Sequence, residues 1–275
     1  MHVSGLHIYP VKSLRGIALD SCSFDAIGFN GDRRFVVVDR DGHVLTQRNV
    51  PEMALVVTEL TDVNLVLRAP HREKCEIARV ATEPPLIRTV SVWKSEGLLA
   101  EDCGNGPADW LSSVLKTTCR LLRVGSVYRR PVLDTVNAGP ADLVSFADGY
   151  PFLVASESSL ADLNDHLIES GEEAIPMNRF RPNIVVSGCS AFAEHTWPRL
   201  RIGSALFRSG GPCGRCIVTT TDQQTAVRHH EPLRTLASYR RNPKNHGEVM
   251  FGENLIHETK SGVMRVGDPV VITNV

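Results

Sequence analysis

The chain lacks most of the features that would commit it to a membrane, a nucleic acid or an oxidising compartment. No apolar run approaches the roughly 18 residues that a bilayer-spanning helix needs, so no membrane segment is expected. Met1-His2-Val3-Ser4-Gly5 shows no basic stretch followed by an apolar one, and no secretory signal is expected. Net charge is −1, so no global field recruits nucleic acid or an anionic surface, and any anion site must be local. Internal repeats and low-complexity tracts are missing. The seven cysteines are odd in number and irregularly spaced, which argues against a disulfide framework and for a reducing compartment. The expected address is the cytoplasm. What remains is an ordinary globular balance, 42% hydrophobic and 22% charged over 275 residues, long enough for one large or two smaller domains.

Against this plain background one stretch carries concentrated chemistry, Cys213-Gly214-Arg215-Cys216. Ser209-Gly210-Gly211-Pro212 leads in and favours a turn; the β-branched run Ile217-Val218-Thr219-Thr220-Thr221 leads out and predicts a strand. Four readings compete. Structural zinc needs a second ligand pair, and the other cysteines are scattered singly. A thioredoxin-like redox pair opens a helix, whereas a strand pattern follows here. Two small buried thiols are a third reading, opposed by the arginine between them. The fourth is one thiolate ligating a cofactor metal, with Arg215 beside it for an anion; thiolates select soft or high-valent centres.

The front of the chain reads as short strands with turn punctuation. Leu6 to Val11 is a strand ending near Pro10, followed by Lys12-Ser13, which suit either an anion or a solvated loop. Arg33 to Val38 is a strand, Asp39-Arg40-Asp41-Gly42 a hairpin turn and His43 to Thr46 its return, with register deciding whether Arg34 and Arg48 meet. Ala54 to Leu60, Asn64 to Arg68 and Ile87 to Trp93 continue the β pattern. Asp109 to Thr117 is a helix with Trp110, Leu111, Val114 and Leu115 on its core face. Arg123 to Ala141 is irregular, and its Arg129-Arg130 pair reads as solvated.

The back half mixes elements. Phe152 to Ala155 is a buried strand; Ser156 to Ser159 then opens a helix, with Ser159 and Asp162 fitting a capping box. Strand, serine turn and helix N-terminus make Ser156 a phosphate-contact candidate, although serines there are also simply good caps. Arg181 and Asn183 bracket Pro182 before the strand Ile184 to Val186 and offer a guanidinium fork and an amide. Gly203-Ser204 is a hairpin turn, Glu231-Pro232-Leu233 starts a short helix, and Arg240 to Gly247 reads as a loop. Val263 to Ile272 supplies two last β runs around Gly267-Asp268.

Several ordered motifs together resemble one family. They are Tyr9-Pro10-Val11-Lys12-Ser13, Arg34-Phe35, Phe152 to Asn164, and Phe180-Arg181-Pro182-Asn183-Ile184. The thiol loop with Thr219-Thr220-Thr221-Asp222, and Arg265-Val266-Gly267-Asp268-Pro269-Val270, complete the set. Over nearly its whole length the chain is similar to the MOSC-domain molybdenum enzymes, particularly the mitochondrial amidoxime-reducing component family and its bacterial relatives. The resemblance implies a mainly β, α+β fold, with an N-terminal β-barrel-like half (1–124) packed on a C-terminal β-barrel MOSC domain (125–275). It implies Cys216 as the metal ligand and catalytic centre of a molybdenum cofactor, the Mo-pyranopterin in its molybdopterin form. Lys12, Ser13, Arg34, Arg181, Asn183 and Arg215 would hold that cofactor and its phosphate, with Ser156 as a further candidate. The implied activity is reduction of a small N-hydroxylated substrate, N–OH to N–H, with two electrons and two protons releasing water.

The chain departs from the family pattern in places. Gly214 stands where a polar residue is common, and Asp222 to Ala226 lacks the expected Pro and Gly. No cysteine-rich extension follows Val275, so electrons would come from a separate ferredoxin-, flavodoxin- or cytochrome-b5-like protein with its reductase. Two other classes stay open: a sulfur or molybdenum-cofactor carrier using a Cys216 persulfide, and a zinc-binding interaction domain.

Overall fold

The structure is a computed structural model that describes residues 1–133, 136–242 and 247–273. Parts of the expected irregular stretch and of the loop before Gly247 lie outside the described residues. The first strands are β1 (His2–Ile8), β2 (Ile17–Leu19), β3 (Ser21–Asp25), β4 (Gly28–Phe29) and β5 (Phe35–Val38). Next come β6 (Val57–Leu60), β7 (Asn64–Arg68), β8 (Cys75–Ala78), β9 (Ile87–Val92) and β10 (Ser95–Asp102). Helix α1 (Asn105–Leu115) and β11 (Arg120–Arg123) follow, then β12 (Phe152–Ser156), α2 (Glu157–Glu169) and β13 (Ile184–Ser187). The chain closes with β14 (Arg199–Ile202), β15 (Ala205–Arg215), α3 (Leu233–Tyr239), β16 (Val249–His257), β17 (Gly262–Arg265) and β18 (Val270–Ile272). The fold is mainly β with a few helices, as the sequence implies.

An eight-stranded sheet runs β18-β14-β15-β16-β12-β13-β1-β2, antiparallel except where β12 and β13 pair in parallel. Two of its strands, β1 and β2, come from the front half: β1 pairs with β13, and in a separate three-stranded sheet β3 pairs with β17. Strand pairing thus crosses residue 124 in both sheets. The alternation of Val3, Leu6 and Ile8 toward the core survives only because a bulge between Val3 and Gly5 resets the pleat. These side chains join an aromatic interior in which Phe152, 1% exposed, meets Phe29 at 4.9 Å, His257 at 5.1 Å and Phe207 at 5.4 Å, each edge to face.

Sheets β5-β11-β10-β9 and β6-β7-β8 make up the remaining front half. Val11, Phe35, Val37, Met53, Leu65 and Leu67 fill it, and Leu111 and Leu115 of α1 close it. The expected return strand after Asp39-Gly42 is only a short irregular hairpin, with Leu45 N donating to Val37 O at 2.9 Å. The cap lies one turn earlier than the expected Ser159–Asp162 box, at the last residue of β12. Ser156 is the N-cap of α2, and its Oγ accepts from Ser159 N at 3.0 Å. The larger correction concerns Arg130. Far from solvated, it is 1% exposed and spends its guanidinium on Ser95 Oγ and the carbonyls of Val92, Ser145, Ala147 and Asp148. One arginine thus fastens the β9–β10 turn to the 145–148 segment.

Truncating Phe152 leaves a void bordered by the Phe29 and Phe207 rings and His257, so Phe152→Ala is expected to cost about 3–5 kcal/mol in denaturant unfolding. A second test concerns Glu253, which is 1% exposed and lies in register with Pro212. Its Oε1 accepts from the Ser209 hydroxyl, its Oε2 has no hydrogen-bond partner among the described residues, and burial pushes its pKa up from 4.5 to about 7. The folded state therefore binds the extra proton between those values. The cost of burial is absent below the lower one, grows as pH rises and is complete above the upper one. Glu253→Gln should flatten that dependence, gaining up to roughly 3 kcal/mol over wild type at pH 8 but little at pH 4, in urea titrations.

Candidate active site

The thiol segment ends a long strand that two irregularities have bent. β15 shifts register against β16 between Ser209 and Gly211 and again between Pro212 and Gly214. Gly210 is required there, since a Cβ would lie 2.4 Å from the Tyr150 ring. The strand expected after Cys216 is instead a single 3-10 turn, Ile217–Thr220. The reason is local. Thr219 Oγ1 donates to Cys216 O at 3.0 Å and Thr220 Oγ1 to Ile217 O at 2.8 Å, satisfying backbone acceptors without a sheet. Arg179, 5% exposed, holds the turn through Thr220 O at 3.4 Å. Both thiols are half-buried and all seven cysteines are free. Among the described residues neither thiol joins a group of three or more potential metal ligands, as structural zinc would need.

A carboxylate and its cations face this segment. Asp148 pairs with Lys12 and, at 3.6 Å, with Arg48. The Lys12 charge is the first of the causes that hold the Asp148 carboxyl well below the usual range; burial opposes it and Arg48 and Arg33 assist. Yet 58% of the Asp148 side chain remains exposed, so the carboxylate is open to solvent beside its buried partner Lys12. Lys12 is 8% exposed and also donates to Phe146 O at 2.9 Å. Arg48 reaches onward to Cys216. Burial would lower the pKa of its guanidinium, but its contacts with the Cys216 sulfur and the Asp148 carboxylate outweigh that and raise it. Lys12, Asp148, Arg48 and Cys216 are thus one continuous chain of contacts.

A second layer of cations stacks on Tyr9. The guanidinium carbons of Arg33 and Arg181 lie 4.3 and 4.1 Å from its ring centroid. Burial pulls the Arg181 pKa down to about 10 and pushes that of Tyr9 up to about 12. Arg33 is held by Asp32 at 2.8 Å and by Asn183 Oδ1 at 3.0 Å. Arg215 donates to Cys213 Sγ at 3.0 Å and to Phe180 O, so its charge rests on the first thiol. Burial raises the Cys213 pKa against that charge. Two buried donors point at nothing: Arg181 Nη2 and Arg215 Nε have no hydrogen-bond partner among the described residues.

Of the sequence-predicted residues, Lys12, Arg181, Arg215 and Cys216 come together. Ser13 lies beside them with a left-handed φ of 69°, its carbonyl accepting from Gln47 Nε2 at 2.8 Å. Asn183 is present as a support for Arg33, its Nδ2 already given to His7 O. Two candidates do not join. Arg34 donates to Asp25 at 2.8 Å and to the carbonyls of Gly28 and Phe29, in the β3–β4 hairpin. Ser156 pairs with Val186, at the far end of β12 from Asn183, and is fully buried with Ser159 and Glu194. The missed residues are Arg33, Arg48 and Asp148. Only Arg48 had a signal, as a hairpin-end arginine.

The two departures also find local accounts. A Cβ at residue 214 would meet Glu248 Oε2 at 2.5 Å, so glycine suits the place. Asp222 builds its own turn by accepting from Gln224 N and Thr225 N, each at 2.9 Å, and Ala226 takes the left-handed φ of 60°. That turn presents Gln223, whose amide pairs with Gln47 at 2.9 and 3.1 Å across the two halves.

The MOSC N-terminal beta barrel domain family matches residues 1–118, and the MOSC domain family matches residues 142–271. Mitochondrial amidoxime reducing component 2 of Bos taurus is 35% identical over 281 residues, covering 98% of this chain and 82% of that protein. Mitochondrial amidoxime-reducing component 1 of Homo sapiens is 34% identical over 287 residues, with 98% and 82% covered. Molybdenum cofactor sulfurase of Oryza sativa subsp. japonica is 32% identical over 279 residues, covering 94% of this chain but 33% of that longer protein.

The depressed Asp148 carboxyl carries a pH signature. Its folded pKa lies below the unfolded value, so its stabilisation is present above about pH 4 and is lost as pH falls through the folded value. Asp148→Asn should lower stability at pH 7, where Lys12 and Arg48 then face each other unscreened. It should also reduce the acid dependence below pH 4, as read by thermal melts across pH 2–7.

Proposed function

From the premise that this chain belongs to the MOSC-domain family, with the amidoxime-reducing components as full-length relatives, we propose that it is a molybdenum-cofactor-dependent N-reductase. The observation that carries the reading is the unspent positive charge beside a soft ligand. Lys12, Arg33, Arg48, Arg181 and Arg215 outnumber Asp32 and Asp148, and Arg181 Nη2 and Arg215 Nε lack a hydrogen-bond partner among the described residues. Such a donor set fits a phosphorylated polyanion whose metal takes a thiolate. Cys216 would be the metal ligand. Lys12, Ser13, Arg33, Arg181 and Arg215 would hold the pterin and phosphate, with Arg33 replacing Arg34 and Asn183 orienting it. The cofactor, when bound, supplies the two electrons that cleave the N–O bond; the protein binds and orients it. Asp148 stays ionised and holds Lys12 and Arg48 at the site.

Electrons come in this reading from a separate donor protein of the ferredoxin, flavodoxin or cytochrome b5 kind. Among the described residues no helix is long and apolar enough to cross a membrane. Seven free cysteines support a reducing compartment, and we keep the cytoplasm as the proposed address, although the names of the animal relatives place those proteins in mitochondria. The sulfurase relative favours a second reading, in which Cys216 carries persulfide sulfur or delivers cofactor without turnover.

Elemental analysis with an amidoxime-reduction assay on an artificial reductant separates the two. The enzyme predicts about one molybdenum per chain and turnover, abolished in Cys216→Ala and largely kept in Cys213→Ala. Persulfide without metal supports the carrier, and equal loss in both variants refutes Cys216 as the ligand.

A further inference from the structure

The β9–β10 hairpin presents a tryptophan where its turn calls for glycine. Val92 pairs with Ser95, so Trp93 and Lys94 form a two-residue loop. Trp93 takes a positive φ of 54°, a conformation that such loops normally give to glycine, asparagine or aspartate. A bulky side chain there is strained, and its indole is 58% exposed, so burial does not compensate for the strain. Solvation cannot explain the choice either, since a polar residue would serve the turn better.

The indole lies against the segment that carries the site's carboxylate. Its Cζ3 is 3.5 Å from where a Cβ on Gly149 would stand, and Gly149 follows Asp148, the partner of Lys12 and Arg48. The buried Arg130 binds Val92 O and Ser95 Oγ on one side and the carbonyls of Ala147 and Asp148 on the other. Loop and segment are thereby fixed to each other. Lys94 Nζ sits 4.7 Å from the ring centroid, adding charge to the rim. Ile217, next in the chain to Cys216, is 42% exposed and is a second apolar side chain adjoining a site residue.

We propose that Trp93 is a specificity-determining platform that stacks on the flat π-system of the substrate. It selects aromatic or conjugated N-hydroxylated compounds over aliphatic ones of equal size. This rests on the N-reductase reading for the chemistry but not for the binding. Stacking or cation–π contact with an indole is strong enough to shift binding by about tenfold.

The test uses wild type, Trp93→Phe and Trp93→Gly in the holoenzyme; glycine suits the positive φ, so that variant should melt no lower than wild type. For an aromatic amidoxime, KM should rise about tenfold in Trp93→Gly with kcat within about twofold, and Trp93→Phe should retain most of the affinity. For an aliphatic amidoxime neither constant should move. Calorimetric binding of an aromatic amidine, the product class, should weaken in step. Equal changes for both substrates, or none, overturn the proposal. So does a defect seen only with a protein electron donor, which would assign Trp93 to a docking face. If wild type shows no turnover, the N-reductase reading fails by itself. The calorimetry then still decides: preference for the aromatic amidine lost in Trp93→Gly upholds the platform, and unchanged binding overturns it.

Discussion

Crowding like charges is costly, and this site crowds five of them. Lys12, Arg33, Arg48, Arg181 and Arg215 share a small volume, two of them on one tyrosine ring. Asp148 makes the arrangement tolerable. It pairs Lys12 with Arg48, and through Arg48 it connects the front half of the chain to the thiol segment. Because the carboxylate stays accessible while the cations around it are partly desolvated, an incoming polyanion would find the positive groups already gathered and oriented. The energetic cost of assembling them is met by folding, before any ligand arrives.

The halves are joined by more than this pair. Strands β1 and β2 join the sheet built mainly from the back half, and β17 of the back half joins β3 and β4, so each side completes the other's hydrogen bonding. Near the site the Gln47–Gln223 amide pair repeats the joining on a smaller scale, and Arg228 adds its guanidinium to the Gln47 and Arg48 carbonyls. Arg48 therefore receives its position from the back half, although it lies on the front. The site sits on a seam, and both halves must be folded for it to exist.

Strands with clean alternation or dense apolar runs were legible in the sequence, as were α1, α2, the thiol segment, and Lys12, Arg181 and Arg215 near it. Three kinds of feature were not. The Ile217 to Thr221 run has strand composition, yet its threonine hydroxyls close a turn, a competition that propensity does not register. Arg33 and Arg34 are neighbours of the same type, and a one-residue difference in facing sends one to the site and the other to a distant hairpin. Arg130 and Asp148 sit in stretches of turn-like composition, where long-range pairing alone decides burial and charge. Resemblance named the family and supplied the proposed ligand cysteine, but the groups that set the local field emerged only from tertiary geometry.

The buried guanidinium of Arg130 has a mechanical consequence. Its nitrogens hold carbonyls from both the β9–β10 turn and the 145–148 segment, so neither can shift without dragging the other. The side of the site that carries Asp148 is thus a single stiff jaw, and any movement that admits a bulky guest must come from the other residues around it.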